Sequence, residues 1–189
     1  MNEIIINYSK KINEAFSSST MSLVDKLANE MKLAWENKNT IYFCGNGGSA
    51  GNANHLANDF LYGAGVSNGI GLRVESLSAN QSIITCLGND IGYENIYSEQ
   101  LRVKGNEGDL LIALSGSGNS PNIVNALKIG NQLGMKTVAI LGFSGGACKN
   151  IAHVPIHFEF NDMQVSEDLQ MIVGHMCMQW LYQQGQGIA

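Results

Sequence analysis

The run Ser115-Gly116-Ser117-Gly118-Asn119-Ser120-Pro121 gathers three hydroxyls just ahead of a proline suited to a first helical position. Ser120 reads as the N-cap of that helix, so the free N–H groups of the first helical turn point back into the loop. Amides and hydroxyls placed this way hold a phosphate without help from Lys or Arg. The loop lacks the lysine of a nucleotide-binding P-loop, which disfavours a nucleoside triphosphate. Helix capping alone would need one of these hydroxyls, not three. A second loop, Gly45-Asn46-Gly47-Gly48-Ser49-Ala50-Gly51, lets backbone approach a ligand and leads into a helix. Taken by itself it also approximates a dinucleotide fingerprint, or a tight strand-to-helix turn with no ligand. Glu75 stands late for the ribose acid of such a fingerprint.

Other reactive side chains fall on helices. His55 and Asp59 are four residues apart and share a face, as metal ligands, an acid/base pair or a surface ion pair. Glu167 and His175 lie eight apart on the final helix, roughly 12 Å along its axis and off one line. Glu167 would meet a metal beside His175 only by a long reach or by flexing at the helix start. Glu167 and Asp168 also suit the first turn of a helix as acids, and His175 reads equally well as a helix-contact histidine. His153 and His157, flanking the last strand, read as structural.

The elements that must position these groups alternate. Short apolar runs at Ile41 to Cys44, Leu72 to Leu77, Leu110 to Leu114, Thr137 to Leu141 and Val154 to Phe158 predict strands. Helical periodicity falls at Asn52 to Leu61, at Asn95 to Val103 and over Ile123 to Leu133, and a long helix begins near Ser166. Nearly continuous apolar strands between helices imply an α/β fold with a parallel sheet of about five strands covered on both faces. Ligands of such sheets bind at the carboxyl ends of the strands, where both glycine-containing loops lie. Two amphipathic helices precede the sheet, over about residues 1 to 38, with Ser17-Ser18-Ser19-Thr20 offering a cap for the second. The loosest stretch, Gly63 to Gly71, reads as a lid or crossover.

The 189 residues fit one domain, with 44% hydrophobic and 14% charged residues. A net charge of −5 without a basic run argues against nucleic acid and anionic membranes as partners. Neither a signal peptide nor a membrane-spanning run is expected, which points to the cytoplasm. Cys44, Cys86, Cys148 and Cys177 lack C-x-x-C spacing and sit among apolar or small residues, so buried free thiols are expected.

Cys44-Gly45-Asn46-Gly47-Gly48-Ser49, His55, Leu87-Gly88-Asn89-Asp90 and the Ser115 to Ser120 turn, in this order and spacing, closely resemble the sugar isomerase (SIS) domain. More narrowly they resemble the D-sedoheptulose-7-phosphate isomerase, or phosphoheptose isomerase, family. The resemblance covers almost the whole chain. It implies a three-layer α/β/α sandwich of flavodoxin-like type, a homotetramer with sites built between subunits, and often a bound zinc. Asn46, Gly47, Gly48, Ser49, Asn80, Asn89, Asp90, Ser115, Gly116, Ser117 and Ser120 are the substrate and phosphate residues it implies. The family's catalytic glutamate falls on Asp59, its partner histidine on His175 and its glutamine metal ligand on Glu167. The implied metal set is therefore His55, Asp59, Glu167 and His175, with no nucleotide cofactor. Departures at Gly63 (an arginine in the family), Asn80 and Gln164 (both aspartates) alter the sugar end. The expected reaction is aldose–ketose isomerisation of sedoheptulose 7-phosphate through a cis-enediol, with Asp59 and His175 moving the proton. The rivals are a non-catalytic SIS module that binds a phosphosugar or a protein, and a dinucleotide-dependent oxidoreductase resting on the first glycine turn alone.

Overall fold

A computed structural model describes residues 1–65 and 71–185. Helices α1 (Asn2–Phe16) and α2 (Met21–Glu36) lead into strand β1 (Ile41–Gly45) and helix α3 (Gly48–Tyr62). Then come β2 (Val74–Ser76), α4 (Gln81–Asp90), α5 (Ser98–Lys104), β3 (Leu110–Ser115) and α6 (Pro121–Gln132). The final elements are β4 (Lys136–Leu141), α7 (Cys148–Ile151), β5 (Val154–His157) and α8 (Met163–Gly185).

All strand pairs are parallel, in the order β2-β1-β3-β4-β5, which is the flavodoxin-like order. Strand residues alternate between two dry faces. Ile41, Phe43, Leu110, Ile112 and Leu114 pack with α2, α3 and α8, and Phe43 stacks on Phe60 with ring centroids 5.8 Å apart. Tyr42, Cys44, Leu111 and Ala113 face α5 and α6. Three layers result, because the central strands β1, β3 and β4 carry apolar residues of both parities. The chain winds outward in one direction from β1 to β2 and in the other through β3, β4 and β5. The loops leaving β1 and β3 therefore separate at a crevice, with Gly45 paired to Leu114 in register.

Several expectations need correction. Asn95–Val103 is not one helix; a 3-10 turn at Tyr93–Asn95 precedes the shorter α5. Helix α4 was not expected; none of its residues is fully buried, and Ile84 and Leu87 pack partly against the core. Helix α8 starts at Met163 rather than Ser166, because Asp162 Oδ1 accepts the Val165 N–H at 3.2 Å and its carbonyl accepts the Ser166 hydroxyl at 2.7 Å. Thr20 occupies the cap position of α2 without a side-chain capping bond; its hydroxyl donates to the His157 carbonyl at 2.9 Å. Cys86 is exposed beside Asp90, whose hydrogen bond and charge push its thiol pKa up. Cys44, Cys148 and Cys177 are buried, and loss of water pushes the Cys148 thiol up to about 11. His153 and His157 have structural partners, with His153 Nδ1 3.2 Å from the Thr137 amide and His157 Nε2 2.9 Å from the Phe143 carbonyl. Of the loose Gly63 to Gly71 stretch, Gly63–Gly65 form a 3-10 turn and residues 66–70 lie outside the described residues. Among the described residues no helix is long and apolar enough to cross a membrane.

Candidate active site

The two loops at the crevice form a cavity of about 260 Å³ lined by Asn46, Gly47, Gly48, Ser49, Ser115, Gly116, Ser117, Ser120, Met163 and Glu167. Gly47 adopts φ 54 ahead of α3, a conformation that favours glycine, so the first amides of that helix border the cavity. In the second loop Ser115 Oγ accepts the Gly118 N–H at 3.0 Å and Ser117 Oγ accepts the Asn119 N–H at 3.3 Å. Each hydroxyl spends an oxygen lone pair on the loop and keeps its own hydrogen to donate. Ser120 sits at the cap of α6 but makes no capping bond, contrary to expectation, and its hydroxyl also stays uncommitted. Asn119 ties this loop to its neighbour, accepting the Ala147 N–H at 3.0 Å. The cavity thus collects donors, as an anion requires.

Glu167 enters the same cavity. A Cβ built on Gly48 would lie 2.4 Å from its carboxylate, so the absence of a side chain at Gly48 makes room for the acid. The carboxylate lies over the first turn of α3, where a helix favours negative charge.

A second cluster lies farther along the same two helices. His55 Nε2 and His175 Nε2 are 3.2 Å apart, and each is 3.3 Å from Asp59 Oδ2. The imidazoles meet edge to face, with ring centroids 5.4 Å apart. These three ligand atoms from α3 and α8 form a group able to hold a metal ion, and Glu167 is not part of it. Its side chain follows α8 towards Gly48 instead, as the eight-residue offset from His175 requires.

Asn80, Asn89 and Asp90 do not line the cavity of their own chain. Asn80 caps α4 by accepting the Ile83 N–H at 3.2 Å, and Asn89 donates to Asp90 at 2.8 Å on the exposed end of that helix. Gln164 is exposed at the start of α8, and Gly63 follows α3 near Met178. A larger cleft of about 480 Å³ opens at the opposite end of the sheet, where the Glu30–Lys136 ion pair and a hydrogen-bonded His153 leave no cluster of free donors.

The loops also rest on a polar network that motif reading misses. Asn122 is buried at the second residue of α6 and exchanges two hydrogen bonds with Asn46, each 2.8 Å. Tyr97 donates to the Gly45 carbonyl, and Ser78 bonds Tyr97 at 3.1 Å. The available signal was an asparagine on the buried stripe that Asn122 shares with Ala126 and Ile129.

Comparison with known proteins agrees with this geometry. A profile of the SIS domain matches residues 6–142. The phosphoheptose isomerase of Akkermansia muciniphila is 41% identical over 138 residues, covering 73% of this chain and 72% of that protein. The phosphoheptose isomerase structure from Francisella tularensis superposes with a TM-score of 0.91 at 25% identity, over 96% of each chain. That from Neisseria gonorrhoeae gives 0.88 at 26% identity, over 95% of each. Profile, sequence relatives and fold agree over most of the chain, and it belongs to the SIS domain family, among the phosphoheptose isomerases.

Proposed function

We propose that this protein is an aldose–ketose isomerase, an intramolecular oxidoreductase that converts D-sedoheptulose 7-phosphate to D-glycero-D-manno-heptose 7-phosphate through a cis-enediol. The observation that carries this reading is Asp59 and His175, 3.3 Å apart, on the same two helices that wall the serine-lined cavity. Gly48 and His55 are about two helical turns apart, roughly 10 Å along the axis. Side chains tilted towards the helix start shorten that gap. A seven-carbon chain ending in phosphate, eight bonds at about 1.2 Å each, is long enough to span it.

The hydroxyls of Ser115, Ser117 and Ser120, with the amides around Gly47 and Gly48, hold the phosphate. One proton leaves C1 of the ketose and the C2 carbonyl oxygen takes one up as the C1–C2 double bond forms; a proton is then returned to C2 while the C1 hydroxyl gives up its own and becomes the aldehyde. Asp59 and His175 share this work, since a carboxylate and an imidazole can each take and give a proton. Their separation lets the proton pass between them.

The His55, Asp59 and His175 ligand atoms also fit zinc. Separations of 3.2 and 3.3 Å match the edge, about 3.3 Å, of a tetrahedron with bonds of about 2.0–2.1 Å. Zinc held there would supply a Lewis acid for the substrate carbonyl. Glu167 would complete the set only by swinging away from Gly48. A lone pair given to the metal is lost to proton transfer, so the two uses of Asp59 and His175 compete.

The reading takes the chain as one SIS domain with a helical segment over about residues 1 to 38, in a cytoplasmic homotetramer. Exposed Ile4, Ile5 and Ile6 on α1 and the incompletely covered helix α4 support self-association. Asn80, Asn89 and Asp90 then act in a neighbouring copy's site. Three buried free thiols suit a reducing compartment.

Asp59→Asn and His175→Ala are each expected to lower turnover of sedoheptulose 7-phosphate by about 100-fold or more while keeping the melting temperature. The assay compares C5 to C7 ketose phosphates, with and without zinc. Full activity in both variants overturns the assignment, and binding without turnover in the wild type supports a non-catalytic phosphosugar module.

A further inference from the structure

Asn122 is 1% exposed and lines no part of the substrate cavity, yet its carboxamide is engaged at both its oxygen and its nitrogen. Its Oδ1 accepts the Ile123 N–H at 3.0 Å and the Asn46 amide at 2.8 Å, while its Nδ2 donates back to Asn46 Oδ1 at 2.8 Å. Asn46 Oδ1 also receives the Tyr93 hydroxyl at 3.2 Å. The oxygen of Asn46 is thereby held on the protein side. One of its two N–H groups is spent on Asn122, and the other has no partner among the described residues. Asn46 itself borders the cavity beside the donors of both loops.

We propose that Asn122 is a positioning residue that sets the polarity of Asn46, so that the cavity meets an N–H rather than a carbonyl oxygen. This rests on the phosphosugar reading of the cavity. The physical reason is that a primary amide has a donor end and an acceptor end of nearly equal size, and shape alone does not choose between them. The choice is made by the partner, and Asn122 supplies a donor where Asn46 places its oxygen and an acceptor where it places its nitrogen. An oxygen turned towards a phosphate or sugar-phosphate anion repels it; an N–H binds it. The pair also joins the loop after β1 to the first turn of α6, so the two halves of the cradle keep one spacing.

Asn122→Asp tests this with little change of shape. The variant keeps an acceptor for the Ile123 N–H and for Asn46 Nδ2, but sets a second acceptor against Asn46 Oδ1; turning Asn46 over only moves the repulsion to the other carboxylate oxygen, so neither orientation of Asn46 is held. Calorimetry on chelated protein with inorganic phosphate and with sedoheptulose 7-phosphate is expected to show affinity lowered about ten- to hundredfold, the worth of a hydrogen bond to a charged group. KM rises in parallel, and kcat changes less. In an Asn46→Ala background, Asn122→Asp adds little further loss, because the group it orients is gone. Asn122→Ala moves affinity in the same direction, with a separate loss of melting temperature. A merely structural Asn122 would lower the melting temperature and the active fraction while leaving both dissociation constants unchanged, or would add its full effect to Asn46→Ala; either result overturns the proposal. A wild type that binds both ligands without turnover overturns the isomerase reading alone. One that binds neither overturns both.

Discussion

Two glycines of the loops at the cavity leave no room for a side chain, for different reasons. Gly118 has φ +66, and a Cβ there would lie 2.0 Å from the Gly145 carbonyl oxygen, which is fixed backbone. Gly118→Ala is expected to cost about 2–3 kcal/mol in urea unfolding, from left-handed strain and a collision that has no easy relief. At Gly48 the obstacle is the end of the Glu167 side chain, which can rotate away. Gly48→Ala should cost less than about 1 kcal/mol, with the difference between the two variants as the measurement. At this scale the serine turn was legible, because three hydroxyls and a proline in one loop have few other uses. The destination of Glu167 was open, since spacing along α8 said only that it sits far from His175. Where its carboxylate rests depends on the missing side chain of Gly48, on a different helix.

Helix α8 shows how an element is placed by its first turn. Tyr8 donates to Asp168 at 2.6 Å and Lys11 to Asp162 at 2.6 Å, tying α1 to the start of the helix that carries Glu167 and His175. The hydrogen bond from Lys11, with the Val165 N–H, holds the Asp162 carboxyl below its usual pKa. A carboxylate whose folded pKa is depressed adds stability above its unfolded pKa and loses it as pH falls through the folded one. Lys11→Met should therefore lower stability by about 0.5–1 kcal/mol at neutral pH, since the pair is partly exposed. The gap to wild type should close as pH falls below about 4, as followed by thermal melts across pH. The five strands were legible as apolar runs, and all were found close to their expected ends. Helix α4 was not, because its apolar residues Ile83, Ile84 and Leu87 fall in one short run that reads as strand or helix equally well.

At the scale of the whole molecule, sheet order brings the β1 and β3 loops together; alternating strands and helices implied a parallel sheet with both loops at its carboxyl ends, and the order itself was implied only by the family resemblance. The surface was less legible. Ile4, Ile5 and Ile6 all stand exposed on α1, while Tyr8 and Ile12 of the same helix pack against the core. In the proposed assembly, Ile5→Glu is expected to shift the protein to a smaller species in light scattering, with the fold intact by circular dichroism. A charge placed in an apolar contact costs far more than one in water.

The group able to hold a metal joins His55 and His175, 120 residues apart in sequence, and so exists only where α3 and α8 are already docked. An ion held there recognises the finished fold and finds no equivalent in a partly folded chain. Its binding energy then enters the kinetics on one side. Zinc should slow unfolding in proportion to its occupancy and leave the refolding rate nearly unchanged, a contrast that stopped-flow chevrons with and without chelator would display.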